Sequence, residues 1–173
     1  SVVYCGYAID AGTRDERPEE YGLAHFVEHM LFKSTENRTT REIAVEMDAL
    51  GGQVNAFTSK ECTCYYAKVI AEHLDRAMSL LSDLLLNARM DEEEFEKERE
   101  VIRREMAMYN DDPRDASYRA LVGTLYKAHP RRLPVIGVQK LFDNLTHADM
   151  VAYHRSRYTP GNMFVCVVGD VEP

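Results

Sequence analysis

The sequence predicts an α+β domain, a mixed sheet accompanied by helices. Three observations lead there. Strand-like apolar runs stand at both ends, "SVVYCGYAI" and "MFVCVVG"; segments between them repeat apolar residues at helical spacing; and no internal repeat or low-complexity stretch interrupts them. At 173 residues and 45% hydrophobic, the chain buries one substantial core and is most simply one domain.

Taken in order, residues 1–9 read as a strand, followed by a polar loop, "DAGTRDERPEEYG". Residues 22–33 are nearly all apolar and read as a buried helix. "TTREIAVEMDALGG" is an amphipathic helix: Thr39 or Thr40 caps it, Ile43, Met47 and Leu50 form its apolar stripe, and Gly51 stops it. "QVNAFTS" and "CTCYYAKVI" form a hairpin turning around Lys60. In "AEHLDRAMSLLSDLLLNA", Leu74, Met78, Leu81 and Leu85 keep the helical spacing. A long helix opens at Asp91, with Glu94 placed to complete a capping box. Another follows Pro113, one more spans roughly 146–157, and "MFVCVVG" closes the series as a buried strand.

The buried helix poses a chemical problem. "AHFVEHMLF" carries His25, Glu28 and His29 among apolar residues, and such groups are costly to bury without compensation. On a helix, His25 and His29 project from one face about a turn apart, and Glu28 borders that face. Two imidazoles so spaced can grip one Zn²⁺, with the carboxylate beside the metal acting on its water; His-x-x-Glu-His mirrors the His-Glu-x-x-His zinc-protease signature. The competing reading is two core histidines, hydrogen-bonded beside a salt-bridged glutamate.

A zinc site needs a third protein donor. In "DEEEFEKEREVIRREMAMYN", Phe95, Glu98, Ile102, Glu105 and Tyr109 fall on one helical stripe, so two carboxylates occupy positions where apolar residues belong. The alternative is that both glutamates are solvated or salt-bridged and that Val101 and Met108 mark the true stripe. Glu98 and Glu105 lie about 10 Å apart along the axis. One metal takes one of them, the other orients the ligands from behind, and periodicity does not choose.

"HFVEHMLFKST", "LGGQVNAFTSKECTCYYAKV" and "EFEKEREVIRREM", in this order, resemble the amino-terminal domain of the pitrilysin or insulinase-like zinc metallopeptidases, the inverzincins, a group that includes the mitochondrial processing peptidases. The resemblance extends through "YTPGNMFVCVVGDV". It implies a two-layer α/β sandwich, a largely antiparallel sheet with helices on one face. It also implies His25, His29 and Glu105 as ligands of one Zn²⁺, Glu28 as catalytic base, and Glu98 as supporting glutamate. Asn55, Ala56 and Phe57 match the strand whose free edge pairs with an extended peptide substrate, a mode of recognition that reads backbone more than sequence. The implied activity is zinc-dependent endopeptidase. The implied partner is a homologous second domain, in the same chain or on another subunit, and homo-oligomers stay open.

Composition narrows the field further. A net charge of -8 argues against nucleic acid, and no apolar run is long enough to span a membrane. Cys5, Cys62, Cys64 and Cys166 are too few and scattered for a disulfide framework or a cysteine zinc site; Cys62 and Cys64 read as buried thiols on one strand face. His73, His129, His147 and His154 match no ligand spacing. Both ends read as cut from something longer, so residues 1–173 are expected to be an amino-terminal zinc-binding domain of a longer chain, with any signal peptide outside them. Two other functions compete: a non-catalytic structural or substrate-presenting subunit, and a zinc hydrolase of non-peptide substrates.

Overall fold

The computed structural model describes residues 1–171. Four strands, β1 (Val2–Ile9), β2 (Gln53–Thr58), β3 (Thr63–Ile70) and β4 (Met163–Gly169), form one sheet in the order β2-β3-β1-β4. Every pairing is antiparallel, so the largely antiparallel sheet has no parallel component among the described residues. The helices are α1 (Leu23–Leu31), α2 (Thr40–Ala49), α3 (Leu74–Leu86), α4 (Glu92–Asp111), α5 (Pro113–Leu125), α6 (Gln139–Phe142) and α7 (His147–Arg157). No helix among the described residues is long and apolar enough to cross a membrane.

Alternation decides the layers. Val3, Cys5 and Ile9 of β1 and Thr63, Tyr65, Ala67 and Val69 of β3 are buried on one face, where α1 and α3 pack. Val2, Tyr4 and Ile70 are exposed on the other. Behind α1 lie α4 and α7, and stacked rings lock the contact: Phe26 lies 4.6 Å from Phe95 and 5.2 Å from Phe142. The hairpin around Lys60 forms as expected. Thr39 caps α2 in a capping box with Glu42, and Gly51 follows in the left-handed region at φ 64°.

Three expectations fail. Strand β4 is exposed along most of its length, because it pairs only with β1 and no described helix covers it. Its unbroken apolar run therefore does not signal two-sided burial. Asp91 stands before α4, but its carboxylate binds Ser34 and Arg89 instead of the helix amides, and Glu94 pairs with Lys97. Cys62 and Cys64 are only half-buried: Cys62 lies in the turn before β3, and Cys64 points away from the core face that Thr63 and Tyr65 occupy.

Candidate metal centre

Helix α1 is fixed at its start by residues remote from any motif. Gly22 precedes it at φ 105°, a conformation side chains rarely adopt. The buried carboxylate of Glu16 accepts from the amides of Gly22 at 3.1 Å and Ala24 at 2.8 Å, meeting donors that a helix start leaves unpaired. The helix then buries Leu23, Ala24, Phe26, Val27, Met30 and Leu31. His25, Glu28 and His29 remain half-buried on the face that lines a cavity of about 430 Å³.

Helix α4 brings its carboxylates to the same imidazoles. His25 Nε2 and His29 Nε2 lie 3.2 Å apart, and Glu105 Oε2 lies 3.8 Å from the first and 3.6 Å from the second. Tetrahedral zinc with bonds of 2.0–2.1 Å holds its donor atoms about 3.3 Å apart, so two nitrogens and an oxygen of the favoured kinds fit one ion with small adjustment. Among the described residues, these three form the single group of histidine, cysteine, aspartate and glutamate donors so gathered.

The charges suit the same use. Burial, then the neighbouring His29, pushes His25 down to about 3, leaving it neutral as a ligand must be. Glu98 stands behind the cluster: His29 Nδ1 donates to its Oε1 at 2.8 Å, and Lys33 holds its Oε2. Burial disfavours the Glu98 carboxylate, yet these two partners outweigh it and keep Glu98 below the usual range. His25 Nδ1 is buried without a hydrogen-bond partner among the described residues, so one imidazole is braced and the other is not. Glu28 is pushed up, chiefly by burial, while Thr58 Oγ1 donates to its Oε2.

Strand β2 supplies the opposite wall. Ala56 and Phe57 line the cavity with Glu28, whereas Asn55 lies outside it, beside a second hollow against α2. Asn55 Oδ1 accepts from the amide of Ala56 at 2.8 Å. The sequence does not single out Thr58, Lys33 or Glu16. Thr58 was within reach, since period two along β2 puts it on the face of Ala56; Lys33 and Glu16 carry no local signal.

A His-x-x-Glu-His helix meeting a carboxylate of a second helix, over one antiparallel sheet, is the arrangement of a zinc-protease-like domain. The chain belongs to the insulinase family, peptidase family M16, whose family model matches residues 1–139. An uncharacterized zinc protease of Mycobacterium leprae is 44% identical over 96% of this chain and 38% of its own length. A probable mitochondrial-processing peptidase subunit beta of Arabidopsis thaliana is 36% identical over 96% of this chain and 32% of its own. The crystal structure of a protease from Helicobacter pylori superposes with a TM-score of 0.94 at 32% identity, covering 99% of this chain and 41% of that one. An M16 inactive domain from Pseudomonas fluorescens shares the fold alone, with a TM-score of 0.89 at 18% identity over 99% of this chain and 42% of that one. The chain thus spans about two-fifths of the length of the Mycobacterium leprae and Helicobacter pylori proteins.

Proposed function

We propose that this chain is the amino-terminal domain of a zinc-dependent endopeptidase that cuts extended peptides or small unfolded polypeptides. His25, His29 and Glu105 hold one zinc ion, which when bound supplies a Lewis acid and lowers the pKa of a water. Glu28 takes the proton of the attacking water and hands it to the leaving amine. Thr58 Oγ1 donates to one oxygen of that carboxylate, and the reacting water is met by the other. Glu98 fixes the ring of His29 from behind. Asn55, Ala56 and Phe57 offer the free edge of β2, along which a peptide backbone adds as a further strand. For that addition Asn55 must release the amide of Ala56.

The observation that carries this reading is the triangle of donor atoms, 3.2, 3.6 and 3.8 Å on its sides, sharing a cavity with a carboxylate that is not one of them. A second reading, a non-catalytic subunit, draws on the inactive M16 domain that shares this fold. The coverage of two-fifths of the relatives supports a homologous second domain, in the same chain or on a partner, closing over the peptide. The test is cleavage of a quenched-fluorescent peptide by the full-length protein, abolished by chelation and restored by zinc. At equal zinc occupancy, residues 1–173 alone should show kcat/KM at least about a hundredfold lower, roughly 2.7 kcal/mol of lost orientation and enclosure. A zinc-loaded full-length protein that cuts no peptide would favour the second reading.

A further inference from the structure

The cavity continues past Glu28 to a wall built by Lys60 of the β2–β3 turn and by residues 132–136. The acidic groups of this region are already matched. Asp115 pairs with Arg119 at 3.0 Å, and Glu61 pairs with Arg131 and, at 3.5 Å, with Arg14. Two cations lining the cavity are not. Lys60 donates only to the carbonyl of Leu133, Arg132 donates to the carbonyl of Lys127 at 2.7 Å, and neither has a carboxylate partner among the described residues. Each commitment uses one N–H, leaving two donors on the Lys60 ammonium and four on the Arg132 guanidinium. Burial, then the nearby Arg131, lowers the pKa of the Lys60 ammonium, so an incoming carboxylate would relieve it.

The position of this wall relates it to the reacting bond. Thr58 holds Glu28 and ends β2, and Lys60 follows two residues later in the turn, a length of chain that spans at most about 7 Å. A side chain reaching Lys60 therefore belongs to a substrate residue close to the bond that is cut. Resting on the peptidase reading above, we infer that Lys60 and Arg132 form an acid-selecting subsite, and that the preferred substrate is an extended peptide bearing Asp or Glu within three residues of the scissile bond. A lysine at that position meets two like charges, and a neutral residue leaves both cations unpaired.

The experiment has two arms, both on the full-length protein. In the first, a host peptide with one mapped cleavage site carries Asp, Asn or Lys in turn at each of three positions on either side of the bond. The zinc-loaded enzyme should favour Asp over Asn about tenfold in kcat/KM at one position, and Lys should be worst there. The second arm measures Kd for the same peptides by fluorescence anisotropy on chelator-treated protein, where no turnover occurs; the Asp-to-Asn preference should recur. Lys60→Met combined with Arg132→Gln should bring both ratios close to one, and Lys60→Glu should turn the preference toward Lys. Arg132 is exposed, so Arg132→Gln alone keeps the comparison open if Lys60 proves to be needed as a strut for folding. Cleavage with equal ratios at every position, or ratios untouched by the substitutions, would overturn the subsite and leave the peptidase reading standing. Selective binding of Asp peptides without cleavage would support the subsite and count against the peptidase.

Discussion

Glu105 and Glu98 lie on the same helical stripe, both near the imidazoles, and their replacement by glutamine should separate their roles. A four-donor protein zinc site is worth roughly 10–16 kcal/mol, so one donor supplies roughly 2.5–4 kcal/mol. Glu105, 3.6 and 3.8 Å from the two Nε2 atoms, is the proposed donor, and Glu105→Gln should weaken zinc binding about 10²–10³-fold. Glu98 touches only the far nitrogen of His29, at 2.8 Å. An amide oxygen in Glu98→Gln still accepts that bond; what is lost is the charge opposite Lys33, and the weakening should be about tenfold. The assay is competition against a chromogenic zinc chelator for the full-length wild type and each variant, with circular dichroism confirming equal folding. A loss in Glu98→Gln as large as that in Glu105→Gln would refute the assignment of the third ligand. So would unchanged affinity in both.

Two further outcomes are expected. Thr58→Val removes the hydroxyl that holds one oxygen of Glu28, and should lower kcat about tenfold at unchanged zinc affinity, with Thr58→Ser restoring it; an unaltered kcat in Thr58→Val would show that Glu28 needs no such restraint. Asp83 is a stability test: burial disfavours its charge, but hydrogen bonds from Thr35, Asn37, Asn87 and Arg38 outweigh it and hold the carboxyl down to about 2. A folded value below the unfolded one, about 3.9, means stabilisation of about 2 kcal/mol that is complete above about pH 4 and lost as pH falls through about 2. The difference in urea stability between wild type and Asp83→Asn should therefore shrink by about that amount between pH 6 and pH 2, and a gap independent of pH would contradict it.

What the sequence discloses follows the range of the interactions involved. The cap at Thr39 and the stop at Gly51 are legible because a helix end is settled by residues within one turn. The shared face of His25, Glu28 and His29 is legible for the same reason. The pairing of α1 with α4 is not, because it depends on Phe26 stacking on Phe95, nearly seventy residues apart in the chain. Neither glutamate can therefore be matched to an imidazole by periodicity alone; the geometry puts Glu105 beside both Nε2 atoms and Glu98 against one Nδ1. The misreadings have the same origin. Apolar composition says that β4 belongs in a sheet, but not that one side of it is an edge. Asp91 has a capping residue's identity, yet Ser34 and Arg89 take its carboxylate first. Glu16 closes the start of the histidine helix from a loop whose sequence reads only as polar.

The central claim is that Glu28 performs proton transfer beside a metal it does not hold. Its substitution by glutamine, in the zinc-loaded full-length protein, separates those two functions in one variant. Glu28→Gln should retain zinc at the wild-type stoichiometry while kcat/KM for a quenched-fluorescent peptide falls by about 10²–10⁴. Wild-type turnover in that variant at full zinc occupancy would remove Glu28 from the reaction and contradict the account.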